Sequence, residues 1–159
     1  MLKAQEILEL FFYRNNPFAI KTNSGMYVPV HRPITKLDVD KHLQGLHTIG
    51  AYNARPDGTC KWACIDFDRL TYSTQAKDIA IRHRGKLEVS ESKGYHVWFF
   101  FDHPRNVYDV HHWLIQILDE FGLKKGVDSK IDIFPRSDAL SGKRISWLVR
   151  IPTTNWVTI

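Results

Sequence analysis

Three short segments carry polar side chains in patterns that could perform chemistry, and the first contains a pair of aspartates. Asp66 and Asp68 stand two residues apart at the end of an apolar segment that is predicted to be a strand. Strand side chains alternate between faces, so both carboxylates should point to one face and Ile65 and Phe67 to the other. Such close carboxylates repel each other unless a cation such as Mg²⁺ or Mn²⁺ compensates them. The alternative is a strand that simply turns polar, with Asp68 capping the next segment of the chain.

The second segment runs from Ser90 to Trp98 and predicts two strands joined by a tight turn. Ser92, Lys93 and the amides of the turn could hold phosphate oxygens, and His96 could donate a hydrogen bond to a triphosphate. Gly94 is expected to supply the positive φ that such a turn can require. The alternative is a polar hairpin turn followed by a half-buried histidine.

The third segment contains a single acid inside an apolar strand pattern. Asp132 lies between Ile131 and Ile133, where a polar side chain needs a partner. Two interpretations remain open: a third carboxylate for metal, or half of an ion pair with Lys130 or Arg136.

Basic side chains follow this segment at Lys143, Arg144 and Arg150. They could contact the phosphates of a nucleotide or of a nucleic acid, or lie on a solvated edge. An aspartate pair, a basic hairpin with a histidine and a lone strand aspartate together form the set that two-metal phosphoryl chemistry requires.

Composition is consistent with a polyanionic partner. The chain has 159 residues, a net charge of +5 and a sequence pI of about 9.2, and basic domains of this kind favour nucleic acid. Cys60 and Cys64 are expected to be reduced, partly buried thiols, because the sequence holds no second cysteine pair to complete a zinc site. No apolar run is long enough for a membrane span and no signal peptide opens the chain, so we expect a cytoplasmic protein.

The elements that must position these residues can be predicted from periodicity and caps. Helices are predicted over 3–14, 35–45, 73–84 and 107–121. Strands are predicted over 26–30, 48–52, 62–67, 86–90, 95–101, 131–134 and 144–151. The strong turn at residues 56–58 predicts a hairpin over 48–67. The pattern is α+β, with a mainly antiparallel sheet and helices on one face, and the absence of a linker predicts a single domain over residues 1–159.

The order of these motifs resembles the archaeo-eukaryotic primase superfamily, most closely the primase-polymerase domains of conflict systems and CRISPR-associated loci. The likeness spans about residue 34 to residue 152 and rests on the segments 64–68, 92–98 and 132–136. Many members have a serine where this chain has Gly94. The resemblance implies a fold that joins an N-terminal α/β module to a sheet module like an RNA-recognition motif.

The resemblance also implies an activity: template-dependent DNA or RNA primase-polymerase, transferring nucleotides from an NTP or dNTP to a 3′-hydroxyl with Mg²⁺ or Mn²⁺. The predicted catalytic and metal-binding residues are Asp66, Asp68 and Asp132. The predicted nucleotide-binding residues are Ser92, Lys93, His96, Arg144 and Arg150, and the predicted nucleic-acid contacts are Arg136 and Lys143. The expected partners are a single-stranded DNA template and the nucleotide, with no membrane. Helicase or accessory domains would belong to a larger protein of which this chain is a core.

Two other functions use some of the same features. A metal-dependent nuclease needs the carboxylates but no triphosphate pocket, so the hairpin from Ser92 to His96 argues against it. A non-catalytic single-strand-binding module would expose aromatic side chains on its sheet, and its binding would survive loss of the aspartates.

Overall fold

The computed structural model describes residues 1–12, 17–90, 93–139 and 147–159. The chain divides into two compact units. The first unit comprises residues 1–53 and 148–155, and the second comprises residues 54–147 and 156–159. Mixed helices and antiparallel sheets confirm the predicted α+β class.

The first unit is built on an antiparallel sheet with the strand order β2-β1-β3-β8. Its strands are β1 (Phe18–Lys21), β2 (Tyr27–Val30), β3 (Ile49–Tyr52) and β8 (Leu148–Arg150). Its helices are α1 (Ala4–Phe11) and α2 (Lys36–Leu43).

Helix α2 begins at the cap that the sequence predicted. The Thr35 hydroxyl accepts from the Asp38 N–H at 3.3 Å, and the Asp38 carboxylate accepts from the Thr35 N–H at 2.8 Å, which completes a capping box. Arg32 donates two hydrogen bonds of 2.7 Å to the same carboxylate and holds the pKa of Asp38 well below its usual range. The helix start is therefore fixed by charge as well as by the cap.

The second unit is built on an antiparallel sheet with the strand order β5-β6-β4-β7. Its strands are β4 (Thr59–Phe67), β5 (Lys86–Ser90), β6 (Gly94–Asn106) and β7 (Ile131–Phe134). Its helices are α3 (Ser73–Arg82) and α4 (Val107–Glu120), and a short 3₁₀ turn at Leu70–Tyr72 leads into α3.

One face of the β5-β6-β4-β7 sheet packs against α3 and α4. Ile65 and Phe67 of β4 and Val97 of β6 are fully buried in this core, together with Ile79 of α3 and Leu114 of α4. Because strand side chains alternate, the intervening polar residues of β4 and β6 project from the opposite face. That opposite face carries Asp66 and His96, two of the residues that the sequence predicted for the site.

The predicted hairpin over 48–67 is wrong. Strand β3 pairs with β1 and β8, whereas β4 pairs with β6 and β7. The turn itself forms, with Gly58 at φ +83° and its N–H bonded to the Arg55 carbonyl at 3.0 Å, but it links strands of different sheets. The sequence analysis also missed β1, the strand that pairs with β3.

Other boundaries differ modestly from prediction. Helix α1 ends at Phe11, and the remainder of the predicted helix falls partly on residues 13–14, outside the described residues. Strand β4 is longer than predicted because it begins at Thr59. The predicted last strand is described from residue 147 onward, where β8 covers Leu148–Arg150, and its residues 144–146 lie outside the described part.

Candidate active site

Ionisable side chains form a row across the sheet of the second unit. Glu88 on β5 lies directly opposite His96 on β6. His96 in turn lies opposite Asp66 on β4, and Asp66 lies opposite Asp132 on β7. Directly opposed residues of antiparallel strands project to the same face, with their Cβ atoms about 4.5–5.5 Å apart. The strand register therefore places these four side chains, the ionic row, next to one another.

His96 is the buried centre of the ionic row. Its Nδ1 lies 2.9 Å from Glu88 Oε2, and its Nε2 lies 3.3 Å from Asp66 Oδ1. Burial works to lower the pKa of the imidazole, but hydrogen bonds and charge from Asp66 and Glu88 outweigh it and raise the pKa of His96 to about 9. His96 is therefore a cation at neutral pH that donates to both carboxylates.

Glu88 is a functional candidate that the sequence analysis missed. Its side chain is completely buried, and the oxygen that contacts His96 also accepts from Trp98 Nε1 at 2.8 Å. A buried carboxylate needs such partners because its desolvation is unfavourable. The available signal was an acid in the apolar pattern Leu87-Glu88-Val89, which is the same kind of signal that identified Asp132.

The structure brings the aspartates of the first and third motifs to one cavity. Asp66, Asp68 and Asp132 line a cavity of about 400 Å³, together with Lys125, Lys130 and Arg136. The side chains of Asp66 and Asp132 are about one-third exposed, at 33% and 37%, and Asp68 is more exposed. The carboxylates are thus accessible to a ligand that enters from solvent.

Lys130 is held beside this cavity by a clamped loop. The Tyr72 hydroxyl donates to the Ser129 carbonyl at 2.7 Å, Arg69 donates to the Asp128 carbonyl at 3.1 Å, and the Lys130 carbonyl accepts from the Asp68 N–H at 2.8 Å. Lys130 has a φ of +58°, which is uncommon for a residue other than glycine. The sequence analysis considered Lys130 only as an ion-pair partner and did not name Lys125.

Asp132 forms the ion pair that was one of its two predicted interpretations, and its partner is Arg136. One carboxylate oxygen accepts from the Ile133 N–H at 2.9 Å and the other from the Arg136 guanidinium. The guanidinium carbon of Arg136 also lies 3.8 Å from the centroid of the Trp147 ring, a cation–π contact. The ion pair coexists with the position of Asp132 opposite Asp66, so the two interpretations do not exclude each other.

Gly94 is required by a close approach of backbone, and its expected role as a turn residue with positive φ was wrong. Gly94 is not among the described residues with positive φ. A Cβ at this position would collide with the Phe67 carbonyl oxygen and would lie 2.8 Å from the Phe67 carbonyl carbon and 2.9 Å from the Arg69 nitrogen. Glycine therefore lets the start of β6 approach the end of β4, which carries Asp66 and Asp68.

The donor set fits a divalent cation, although the side chains are turned to protein partners in this structure. Across the described ranges, no three His, Cys, Asp or Glu side chains are clustered as ligands of one ion. Asp132 is bonded to Arg136 and Asp66 to His96 instead. Carboxylates directly opposite on neighbouring strands nonetheless offer the hard oxygen donors that Mg²⁺ and Mn²⁺ prefer, and Asp68 lines the same cavity.

The remaining predicted site residues are placed differently. Lys93 is exposed in the turn before β6 and, within the part of the chain described, does not line the aspartate cavity. Arg150 lies on β8 in the first unit, opposite Gly50, and donates to the Thr153 hydroxyl at 3.2 Å. Ser92, Lys143 and Arg144 lie outside the described residues.

Cys60 and Cys64 are free, buried thiols on β4. Burial raises the pKa of Cys60 to about 12 and that of Cys64 well above its usual value. Both side chains are therefore protonated at neutral pH and unsuited to nucleophilic or metal chemistry.

An α+β fold with carboxylates and a histidine aligned across one sheet is compatible with a primase-like nucleotidyltransferase domain, and comparison with known families identifies the family. Residues 15–156 match the family model of the archaeo-eukaryotic primase domain of TOTE conflict systems. The match covers most of the chain and both of its units, so the chain belongs to this family. No curated protein matches the chain significantly.

Membership of this family indicates the general class of reaction and substrate. Domains of this family are primase-like and typically depend on a divalent metal, and their substrates are nucleotides and nucleic acid. No described helix has the length and apolar character needed to cross a membrane.

Proposed function

We propose that this domain is a template-dependent primase-polymerase that transfers a nucleotidyl group from an NTP or dNTP to a 3′-hydroxyl. The observation that carries the proposal is the alignment of Asp132, Asp66 and His96 on neighbouring strands, with Asp68 lining the same cavity. Carboxylates for cations beside a fixed cation for phosphate are the components of two-metal nucleotidyl transfer. Family membership supports the same reaction class.

Asp66, Asp68 and Asp132 would hold Mg²⁺ or Mn²⁺, which when bound activates the attacking hydroxyl and neutralises the leaving pyrophosphate. The His96 Nε2–H faces Asp66 in this structure, and once a cation takes over that carboxylate the same N–H would be free to donate to a phosphate oxygen. Lys125 would add positive charge at the same cavity, which the triphosphate needs as its own charge enters.

The remaining contacts in the proposal are predicted from the sequence alone, and of those whose residues the structure describes, only Arg136 lines the aspartate cavity. Ser92, Lys93, Arg144 and Arg150 remain the predicted nucleotide contacts. Lys143 and the exposed part of Arg136 remain the predicted contacts to template or primer phosphates.

Arg136 must release Asp132 before that carboxylate can coordinate a cation. Both partners of the ion pair are about one-third exposed, at 33% and 37%. Ion pairs this accessible to solvent contribute only about 0–1 kcal/mol to stability, so exchanging Arg136 for a cation costs little free energy. The cation–π contact with Trp147 could still hold the guanidinium after its ion pair with Asp132 is broken.

The test is extension of a labelled primer on a single-stranded template with Mg²⁺ or Mn²⁺ and with each nucleotide pool. We expect Asp66→Asn and Asp132→Asn each to lower extension by at least about a hundredfold, since both remove a metal-ligand charge while keeping side-chain shape. The matched control is Asp78→Asn, which removes the same charge from an exposed position on α3 and should leave extension unchanged.

The alternatives give different results in the same assay. Extension that survives both substitutions would show that these carboxylates do not hold the metals, and the proposal would fail. Metal-dependent degradation of the template without nucleotide would indicate a nuclease. Binding of single strands without extension, metal or nucleotide dependence would indicate a non-catalytic binding module.

A further inference from the structure

A second cavity, of about 710 Å³, opens on the helix face of the sheet in the second unit. It is lined by the aromatic side chains of Phe99, Phe101 and Trp113 and by the cationic side chains of Arg84 and Arg105. Its volume is in the range of about 300–1,000 Å³ that is usual for small-molecule pockets. Among the described residues, it shares no lining residue with the aspartate cavity.

Of the three phenylalanines that β6 contributes to this cavity, Phe99 and Phe101 lie on the helix face of the sheet, and Phe100 lies on the other face. Phe99 and Phe101 alternate with the residues of β6 that share the face of His96, so they project toward the helices. A ligand held by these rings would therefore lie on the opposite side of the sheet from the ionic row.

The aromatic rings of this cavity are grouped around Trp113. Its ring centroid lies 5.0 Å from that of Phe99, 6.2 Å from that of Phe101 and 6.1 Å from that of His83, all with edge-to-face geometry. Trp113 and Phe101 are partly exposed. Partly exposed rings at the wall of a cavity provide a surface on which a nucleobase can stack.

The cationic side chains are positioned to bind phosphate next to these rings. The Arg105 guanidinium lies 5.4 Å from the centroid of the Phe101 ring, and Arg84 lines the same cavity. Asp109 also lines it and contributes a negative charge, which the two arginines outweigh. Arginine beside aromatic rings is the combination that binds a phosphodiester and its base together.

Arg84 has a left-handed backbone conformation, which is usually adopted by glycine. It follows the C-cap of α3 with a φ of +56°, and the next residue, Gly85, closes the helix through its N–H to the Ala80 carbonyl at 2.8 Å. Glycine is the usual residue at this left-handed position because a Cβ there is strained. The helix therefore ends with an arginine in place of the usual glycine, and the side chain of that arginine lines the cavity.

From these observations we propose that this cavity, called the helix-face site, binds a segment of single-stranded nucleic acid. With Asp109 counted, the two arginines leave a net charge of +1, which matches the single charge of one phosphodiester better than the several charges of a free triphosphate, and the ring cluster accepts any base. The site is independent of the aspartates, so it does not rest on the proposed polymerase activity. It would hold a strand outside the aspartate cavity.

The experiment measures binding of a fluorescent oligothymidylate by anisotropy at several salt concentrations, in the presence of a chelator. The chelator prevents metal-dependent binding at the aspartates, so failure of the polymerase proposal and failure of this one can be told apart. The variants are Arg84→Gly, Arg105→Gln and their combination, and Lys77→Gln on the exposed face of α3 is the charge-matched control.

We expect Arg84→Gly to weaken binding several-fold without lowering the melting temperature, because glycine relieves the backbone strain while removing the cation. The combined variant should bind about tenfold or more weakly, and its salt slope should fall by about one for each phosphate that the protein no longer neutralises. Phe101→Leu, which keeps an apolar side chain, should also weaken binding by about fivefold because it removes a stacking surface.

Three results would overturn the helix-face site. One is unchanged affinity and salt dependence in the combined variant, which would place the strand elsewhere. Another is loss of binding to free dTTP in these variants while oligothymidylate binding is retained, which would make this a mononucleotide pocket. A loss of affinity in Lys77→Gln equal to that in Arg84→Gly would show general charge alone and would equally contradict the proposal.

Discussion

Replacing Gly94 by alanine should destabilise the second unit strongly, although its backbone conformation does not exclude alanine. Gly94 has no positive φ, so alanine alone would stabilise the chain by about 0.4–1 kcal/mol by restricting the unfolded state. The added methyl group, however, would collide with the Phe67 carbonyl and lie 2.9 Å from the Arg69 nitrogen. These are backbone atoms and cannot rotate away as a side chain would.

The magnitude depends on the balance of these two effects. Overpacking typically destabilises by about 1–3 kcal/mol and occasionally more, and a collision with fixed backbone belongs at or above the upper end. After the favourable entropy is subtracted, a net loss of at least about 2 kcal/mol remains. For a chain of this size each kcal/mol corresponds to about 2–4 °C, so the melting temperature should fall by at least about 4–8 °C.

The assay is calorimetric unfolding of Gly94→Ala beside Gly122→Ala. Gly122 has a φ of +67° with no atom within 4 Å of a built Cβ, so alanine there meets conformational strain of about 1 kcal/mol and no collision. Gly94→Ala should therefore melt clearly below Gly122→Ala. It should also bind nucleotide more weakly, because separating β6 from β4 moves His96 away from Asp66. A melting temperature within about 2 °C of the parent, or above that of Gly122→Ala, would refute the reasoning.

Two further predictions concern buried polar side chains. Glu88→Gln keeps the shape of the side chain but weakens its charge-assisted hydrogen bond to His96. The affinity for nucleotide should therefore fall by about tenfold, while the affinity for Mn²⁺ alone should not change. Calorimetric titrations measure both affinities, and equal losses of the two would contradict the role of Glu88 in positioning His96. In the first unit, His42 accepts from the Ile49 N–H at 3.0 Å, and its Nε2 lies 3.0 Å from the Ile151 carbonyl. Burial lowers the pKa of His42, so its contribution to stability is present above about pH 6.5 and is lost as the pH falls through the lower folded-state value. In denaturant unfolding, the free energy of unfolding should fall less between pH 8 and pH 5 for His42→Gln than for the parent. Equal falls in the two proteins would show that the pH dependence does not come from His42.

Local features of the site could be predicted from sequence because they depend on neighbouring residues. Alternation along β4 correctly placed Ile65 and Phe67 in the core, since a strand has a period of two wherever it lies. Helix α2 was predicted from Thr35 and Asp38, whose capping box is complete within four residues. Such signals need no knowledge of which strands pair.

Pairing and register could not be predicted in the same way. The apolar patterns of β3 and β4 and the turn between them favour a hairpin, and no local feature shows that the strands join different sheets. Glu88 carried the local signal of an acid in an apolar segment, but its contact with His96 depends on the pairing of two strands, which the segment itself does not show. A register shift of one residue would turn Asp132 to the helix face, although the amino-acid sequence of the segment would be unchanged.

The arrangement of charge in the ionic row argues that it was retained for function. Like charges directly opposite on neighbouring strands are destabilising, and Asp66 and Asp132 form such a pair between β4 and the edge strand β7. Cations flank the pair, with His96 beside Asp66 and Arg136 beside Asp132, which reduces but does not remove the repulsion. With Glu88, Asp68 and the cavity-lining Lys125 and Lys130 included, four formal negative charges are balanced in number by four positive ones, yet the two aspartates still face each other directly. A sheet selected for stability alone would have no reason to oppose two carboxylates on neighbouring strands, whereas a site that binds a metal ion needs them together.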